Sequence, residues 1–184
     1  MKELSLNILD ITENSTKAGA KNICIKIEET DDTLTLSVSD DGCGMMPDFL
    51  KSVTDPFTTT RTTRKVGLGI PLLKLAAEQT GGNVQIRSKH ISLYPDDHGT
   101  TTTALFYKNH LDFTPLGDIV STMTTLIQGH PDVDFEYSHT APGYSVALDT
   151  KQLRQILGEV PLDSFEVICW IKDYLDEQYS SAHK

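Results

Sequence analysis

Between residues 22 and 39 the sequence alternates twice, with Ile23, Ile25 and Ile27 in the first run, Leu34, Leu36 and Val38 in the second, and Asp31-Asp32 between them. Alternation at a period of two gives each strand one apolar row, and a short polar break joining two such runs reads as a hairpin. Two apolar rows on one face of a hairpin need a second layer to cover them. The preceding segment supplies one. Over residues 3–18, Leu4, Ile8, Ile11, Ser15 and Ala18 recur at the helical period and make a small or apolar face, and Gly19 follows as a helix stop.

The pattern continues past the hairpin. A glycine-bearing loop at residues 40–46 leads to a short helix predicted over 47–53. Residues 54–67 are rich in Thr and Arg, carry no apolar period and read as a mobile loop. A helix is predicted over 68–80, with Pro71 in its first turn and Gly81-Gly82 past its end. Strands are predicted over 84–88 and 100–107. A boundary near residues 108–115 divides the chain into a nucleotide unit at 1–110 and a small α+β C-terminal region at 111–184. That region reads as a helix near 116–127, strands near 133–138 and 144–148, and helices near 151–157 and 164–179. It is smaller than a typical domain, so it is expected to pack on the first unit.

The 184 residues carry a formal net charge of -10, which excludes a general binder of nucleic acid or of anionic membranes, both of which call for a basic surface. A phosphate site is not excluded, because it needs only a few local cations and N–H groups. No apolar run approaches the roughly 18 residues of a membrane span, and no signal pattern opens the sequence. Cys24, Cys43 and Cys169 are odd in number and lack CxxC spacing, so reduced thiols and a cytoplasmic setting are expected.

Four local signals occur in order. On the opening helix, Asp10, Asn14 and Lys17 are spaced i, i+4, i+7 and share one polar stripe. An amide oxygen can ligate magnesium, an ammonium can neutralise a phosphate, and a carboxylate can polarise a water. By itself this stripe is also what a solvated helix face looks like. Next comes Asp40-Asp41-Gly42-Cys43-Gly44-Met45, in which an aspartate at a strand end can accept the exocyclic amine of a base and glycines let the ring approach the backbone. Third, Asp55-Pro56-Phe57-Thr58-Thr59-Thr60-Arg61 runs into Val66-Gly67-Leu68-Gly69-Ile70, a Thr/Arg-rich loop feeding a glycine-rich helix N-terminus where free N–H groups suit phosphates. Last, Gly99 is followed by four threonines, Thr100 to Thr103, that open a strand. The G-x-x-x-x-G-K-[ST] loop and the dinucleotide fingerprint are both absent.

Taken together, over residues 4 to about 107, these motifs resemble the GHKL superfamily, which groups gyrase, the heat-shock chaperone ATPase, histidine kinases and mismatch-repair ATPases. The lid at Asp55–Thr59, the helix start at Gly67–Ile70 and Lys17 three residues after Asn14 look most like histidine kinases. The resemblance implies an α/β two-layer sandwich of the Bergerat type: a mixed, mostly antiparallel sheet with helices on one face, binding ATP and Mg2+. It implies that Asn14 holds magnesium and Lys17 a phosphate. Asp40 would bind the adenine amine, with Thr100 supporting it through water, though the row Thr100 to Thr103 leaves open which of the four does so. Gly42 and Gly44 would admit the ring. Thr58, Thr59, Arg61, Gly67, Leu68 and Gly69 would form the lid and helix start that wrap the phosphates. Asp10 stands where hydrolytic members carry glutamate and many kinases carry asparagine, so it is the candidate general base.

Histidine kinases also carry an upstream phosphoacceptor histidine in a helical dimerisation segment, which these 184 residues do not contain. The chain, tail included, is also similar to small stand-alone ATP-binding proteins of anaerobic bacteria, a likeness that points to a redox-linked protein partner. Two expectations follow. One is catalytic: an ATPase, or a kinase acting on a partner protein in signal transduction. The other is a nucleotide-gated protein-binding module without significant turnover. In the tail, Asp112, Asp118, Asp132, Asp134 and Asp149 match no metal spacing and read as acidic surface, and Trp170 reads as a helix core residue.

Overall fold

The structure is a computed structural model, and it describes residues 3–53 and 68–182. The helix predicted at the start is α1 (Leu4–Lys17), which buries Leu4, Ile8, Ile11 and Ser15. It stops where Gly19 takes a φ of 78°, a left-handed conformation that glycine reaches without Cβ strain. At its other end the free N–H groups of Leu4 and Ser5 are satisfied by the carbonyls of Pro115 and Leu116. The hairpin is β1 (Asn22–Glu29) and β2 (Thr33–Asp40), antiparallel, with Ile23, Ile25, Ile27, Leu34, Leu36 and Val38 all buried.

A short helix α2 (Pro47–Ser52) precedes the undescribed stretch, and α3 (Gly69–Gln79) follows it. Strands β3 (Asn83–Lys89) and β4 (Gly99–Tyr107) pair antiparallel, and β4 also pairs with β2. Beyond the connector come α4 (Ile119–Gly129), β5 (Asp134–Ala141), β6 (Tyr144–Asp149), α5 (Thr150–Leu157) and α6 (Phe165–Ala182). The strands form one sheet in the order β3-β4-β2-β1-β5-β6, antiparallel except for β1 with β5. The C-terminal strands thus extend the sheet of the first unit.

On one face of the sheet α1 packs between α3 and α4, and α6 lies beyond α4 over β6. The core runs continuously from Leu73 and Phe106 through Ile8 and Ile25 to Phe135, Tyr137 and Ile171. The other face carries hydroxyl pairs, Ser37 with Thr103 and Ser39 with Thr101. This is the helix-covered mixed sheet that the GHKL resemblance implies.

Two readings of the tail need revision. Trp170 is 49% exposed and stacks on Tyr174 at 5.0 Å, while Val167, Ile171 and Leu175 make the core face of α6. The helical period decides this, since 100° per residue turns position 170 away from the stripe at 167, 171 and 175. Three of the tail aspartates have specific tasks rather than loose solvation. Asp118 and Asp149 cap α4 and α5 through their side chains, and Asp134 accepts from Arg154 Nε at 2.7 Å. Helix α4 accordingly starts at Ile119, after its cap, and not at Leu116. Among the described residues no helix is long and apolar enough to cross a membrane, and Cys24, Cys43 and Cys169 are free thiols.

Candidate functional site

The end of β2, the start of β4 and the second half of α1 meet at one end of the sheet. Asp40, the last residue of β2, sits at the junction. Its Oδ2 accepts from the Ser15 hydroxyl at 2.6 Å, and its Oδ1 accepts from the backbone N–H of Gly42 at 2.9 Å and of Thr100 at 3.3 Å. The carboxylate is therefore fixed in orientation by α1, by its own loop and by the neighbouring strand. Asp41, next in the chain, has a different job. Its oxygens accept from the backbone N–H groups of Lys21 and Asn22 and from the Asn22 amide, so it ties the loop to the start of β1. Burial pushes the Asp41 carboxyl up, but those hydrogen bonds outweigh it and hold the group below the usual carboxylate range.

Register separates the four threonines. Thr100 lies opposite Asp40 and Thr102 opposite Val38, on the helix-covered side. Thr101 and Thr103 point to the other face and bond Ser39 and Ser37. The Thr100 hydroxyl lies 2.8 Å from Ser88 Oγ, which also accepts from Met45 N–H at 2.7 Å.

The glycines mark close approaches. A Cβ on Gly42 would lie 2.9 Å from the Cβ of Ala18, and one on Gly44, whose φ is 68°, would lie 2.0 Å from the Lys89 carbonyl oxygen. Gly99 is pressed on the carbonyl of Asp40 in the same way, at 2.0 Å. Gly69 opens α3, and a Cβ there would lie 3.0 Å from the Cβ of Asp10. The N-terminus of α3 thus abuts the middle of α1. Leu68, just before it, is 65% exposed. Asp10 and Lys17 are exposed and Asn14 half-buried. The other acidic residues of α1 are occupied, Glu13 with His130 at 2.8 Å and Glu3 with Ser5 and the N–H of Asp118.

The structure therefore gathers Asp10, Asn14, Lys17, Asp40, Gly42, Gly44, Leu68, Gly69 and Thr100 around α1 and the β2 end. Thr58, Thr59, Arg61 and Gly67, and the lid reading as a whole, lie outside the described residues. Sequence reasoning missed Ser15, read only as part of the apolar face, and also Ser88 and His98, whose Nδ1 lies 2.6 Å from the Gly42 carbonyl oxygen. A serine among Leu and Ile on a buried stripe was a signal for the first; the other two come from long-range register.

A hollow of about 300 Å³ extends from Asp40 and Asp41 along Asn22, Cys24, Glu136 and Lys151. Within it Asp41 and Asp149 are already committed to the β1 start and the α5 cap. Among the described residues no group of three or more His, Cys, Asp or Glu side chains could hold a metal ion. Magnesium keeps several waters and binds through one or two protein ligands plus phosphates, and the half-buried Asn14 on α1 carries one amide oxygen of that kind.

The helix-covered mixed sheet is a fold of the GHKL kind. Residues 1–115 match the family described as histidine kinase-, DNA gyrase B- and HSP90-like ATPase, and the chain belongs to it. It is 34% identical over 68 residues to a probable C4-dicarboxylate sensor kinase of Bacillus subtilis, covering 37% of this chain and 13% of that protein. It is 30% identical over 94 residues to the sensor protein SrrB of Staphylococcus aureus, covering 48% of this chain and 16% of that protein. The chain thus spans less than a fifth of the length of these relatives. In fold it is similar to the MutL ATPase domain of Aquifex aeolicus, solved with ADP, with a TM-score of 0.54 at 13% identity over 85% of this chain and 69% of that one. It is also similar to the N-terminal domain of a DNA repair protein, with a TM-score of 0.55 at 15% identity over 86% of this chain and 58% of that one. The structural likeness covers more of the chain than the family match does.

Proposed function

We propose that this chain binds Mg-ATP and uses it either as an ATPase or as a kinase acting on a partner protein in signalling. The observation that carries this reading is the Asp40 carboxylate, oriented by Ser15, Gly42 and Thr100 at the end of β2. Oδ1 already accepts from Gly42 and Thr100, while Oδ2 has a lone pair beyond the Ser15 donor, so Asp40 can receive the amine of adenine. Asn14 would hold magnesium and Lys17 would face a phosphate, while the N–H groups of Gly69 and Ile70 in the first turn of α3 add positive field. Magnesium, when bound, supplies charge neutralisation on the phosphate oxygens. Asp10 is the exposed acidic residue of α1 on that stripe and would orient or deprotonate a water. Aspartate is one methylene shorter than glutamate, so turnover by this route is slow.

The runner-up is a nucleotide-gated binding module. The exposed Trp170–Tyr174 stack on α6 favours keeping it, because aromatic residues of this kind anchor protein interfaces. The test measures ATP affinity by calorimetry, and the fate of radiolabelled γ-phosphate with magnesium. Label released to water supports an ATPase, and label on a partner supports a kinase. Binding without turnover supports the module, and absence of ATP binding overturns the proposal.

A further inference from the structure

The segment joining β3 to β4 wraps the Asp40–Met45 loop along its whole length. Met45 N–H donates to Ser88 Oγ, Gly44 lies against the Lys89 carbonyl, and Ile91 N–H donates to the Cys43 carbonyl at 2.9 Å. At the far end of the segment His98, half-buried, places Nδ1 2.6 Å from the carbonyl oxygen of Gly42. A carbonyl only accepts, so Nδ1 carries the proton and donates. The N–H of the same glycine donates to Asp40 Oδ1 at 2.9 Å. Gly42 is thus gripped on both sides, by Asp40 through its N–H and by His98 through its carbonyl.

We infer that His98 is a positioning residue for the base-binding carboxylate, acting through Gly42. Glycine has the freest backbone in the chain. The Gly42–Cys43 peptide is held by His98 at its carbonyl and by the Ala18 carbonyl, 2.9 Å away, at its N–H; losing the His98 hydrogen bond loosens this peptide and, through the free rotation at Gly42, the N–H that Asp40 Oδ1 accepts. The neighbouring residue reinforces the arrangement, since Gly99 sits on the Asp40 carbonyl where no side chain fits. His98 does not reach the nucleotide in this account. It sets how well Asp40 is preorganised, and so acts on affinity and base choice rather than on the phosphate chemistry.

This inference rests on the adenine-nucleotide reading of Asp40. Calorimetry on the wild-type chain, His98→Ala and His98→Asn, each with ATP, ADP and GTP, tests it; asparagine is chosen because its Nδ2 can replace Nδ1 as a short donor. His98→Ala is expected to weaken ATP and ADP by the same factor, about three- to tenfold for one neutral hydrogen bond. It should also narrow the preference for ATP over GTP, while His98→Asn recovers both. An effect confined to ATP, unchanged affinity in a folded His98→Ala, or a folded His98→Asn as weak as the alanine variant would overturn the inference and leave the nucleotide reading standing. If His98→Ala does not fold, His98→Asn decides alone: near wild-type affinity supports the inference, and weakened binding overturns it. Wild-type protein that binds no adenine nucleotide overturns the nucleotide reading and this inference with it.

Discussion

Ser15 Oγ donates to Asp40 Oδ2 at 2.6 Å, joining the buried face of α1 to the end of β2. Ser15 is only 4% exposed, so a hydroxyl there, rather than a methyl, is a cost unless it is bonded. The bond does two things at once. It satisfies the serine, and it turns the Asp40 carboxylate into a fixed acceptor.

Removing that donor frees the carboxylate to rotate. Ser15→Ala is expected to weaken ATP binding roughly tenfold, in line with about 1.5–3 kcal/mol for a hydrogen bond to a charged group, part of which water restores. Calorimetric titration of the variant checks this; affinity equal to wild type would detach Ser15 from the site.

Gly44 and Gly143 both hold left-handed backbone, at φ of 68° and 90°, but their surroundings differ. A Cβ on Gly44 meets the Lys89 carbonyl at 2.0 Å, whereas one on Gly143 meets nothing within 4 Å. Backbone strain alone costs about 1–2 kcal/mol. Gly143→Ala is expected to lose about that much in urea unfolding. Gly44→Ala should lose more and should also release ATP, because its loop must move off the β3–β4 segment.

At the opposite end of the sheet, His139 is buried between Glu29, bonded to Nε2 at 2.8 Å, and Tyr179, bonded to Nδ1 at 2.8 Å. Lys108 reaches the other Glu29 oxygen at 2.7 Å, and Tyr137 and Tyr144 close the cluster. Burial lowers the His139 pKa below the ordinary imidazole value, against the opposing pull of Glu29. Burial raises Glu29, but Lys108 and His139 more than reverse this and leave its pKa lowered. For both groups the unfolded chain binds more protons than the folded one as pH falls, so stability rises with pH across each window. Urea unfolding should therefore show stability falling from about pH 7 downward through the His139 window, with a further loss below about pH 4.5 from Glu29. His139→Gln should flatten the upper part of that slope. A slope near pH 6 that is identical in wild type and variant would remove His139 from the account.

Much of this was legible before any coordinates. Period-two and helical alternation fixed β1, β2 and α1, and glycines bounded α1 and α3, because those signals are local. The position of the tail was not legible: the parallel pairing of β5 with β1 is long-range, and nothing in either strand announces its neighbour. Trp170 was misplaced because an aromatic in an apolar helix invites a core reading, while its phase against Val167 and Ile171 places it outside. Among Thr100 to Thr103 sequence could not choose; register against β2 separates them into two faces. His98 stayed invisible because its partner is a backbone carbonyl 56 residues away.

Asp10 separates hydrolysis from phosphotransfer. If turnover is hydrolytic, Asp10→Asn is expected to cut phosphate release by roughly 10²–10⁴-fold, the range for a lost general base, with ATP affinity near normal. Phosphate release and affinity under saturating magnesium check this. Hydrolysis surviving intact in the variant would move the weight to a kinase or a binding module.

The central claim is that Asp40 reads adenine, and the measurement nearest to it is calorimetry of ATP and GTP against the wild-type chain and Asp40→Ala. Guanine presents a carbonyl where adenine presents the amine, so an ionised Asp40 repels the one and accepts from the other. The account predicts that wild type binds ATP far more tightly than GTP, and that Asp40→Ala loses about ten- to a hundredfold in ATP affinity. Equal affinity of the wild-type chain for ATP and GTP would contradict it.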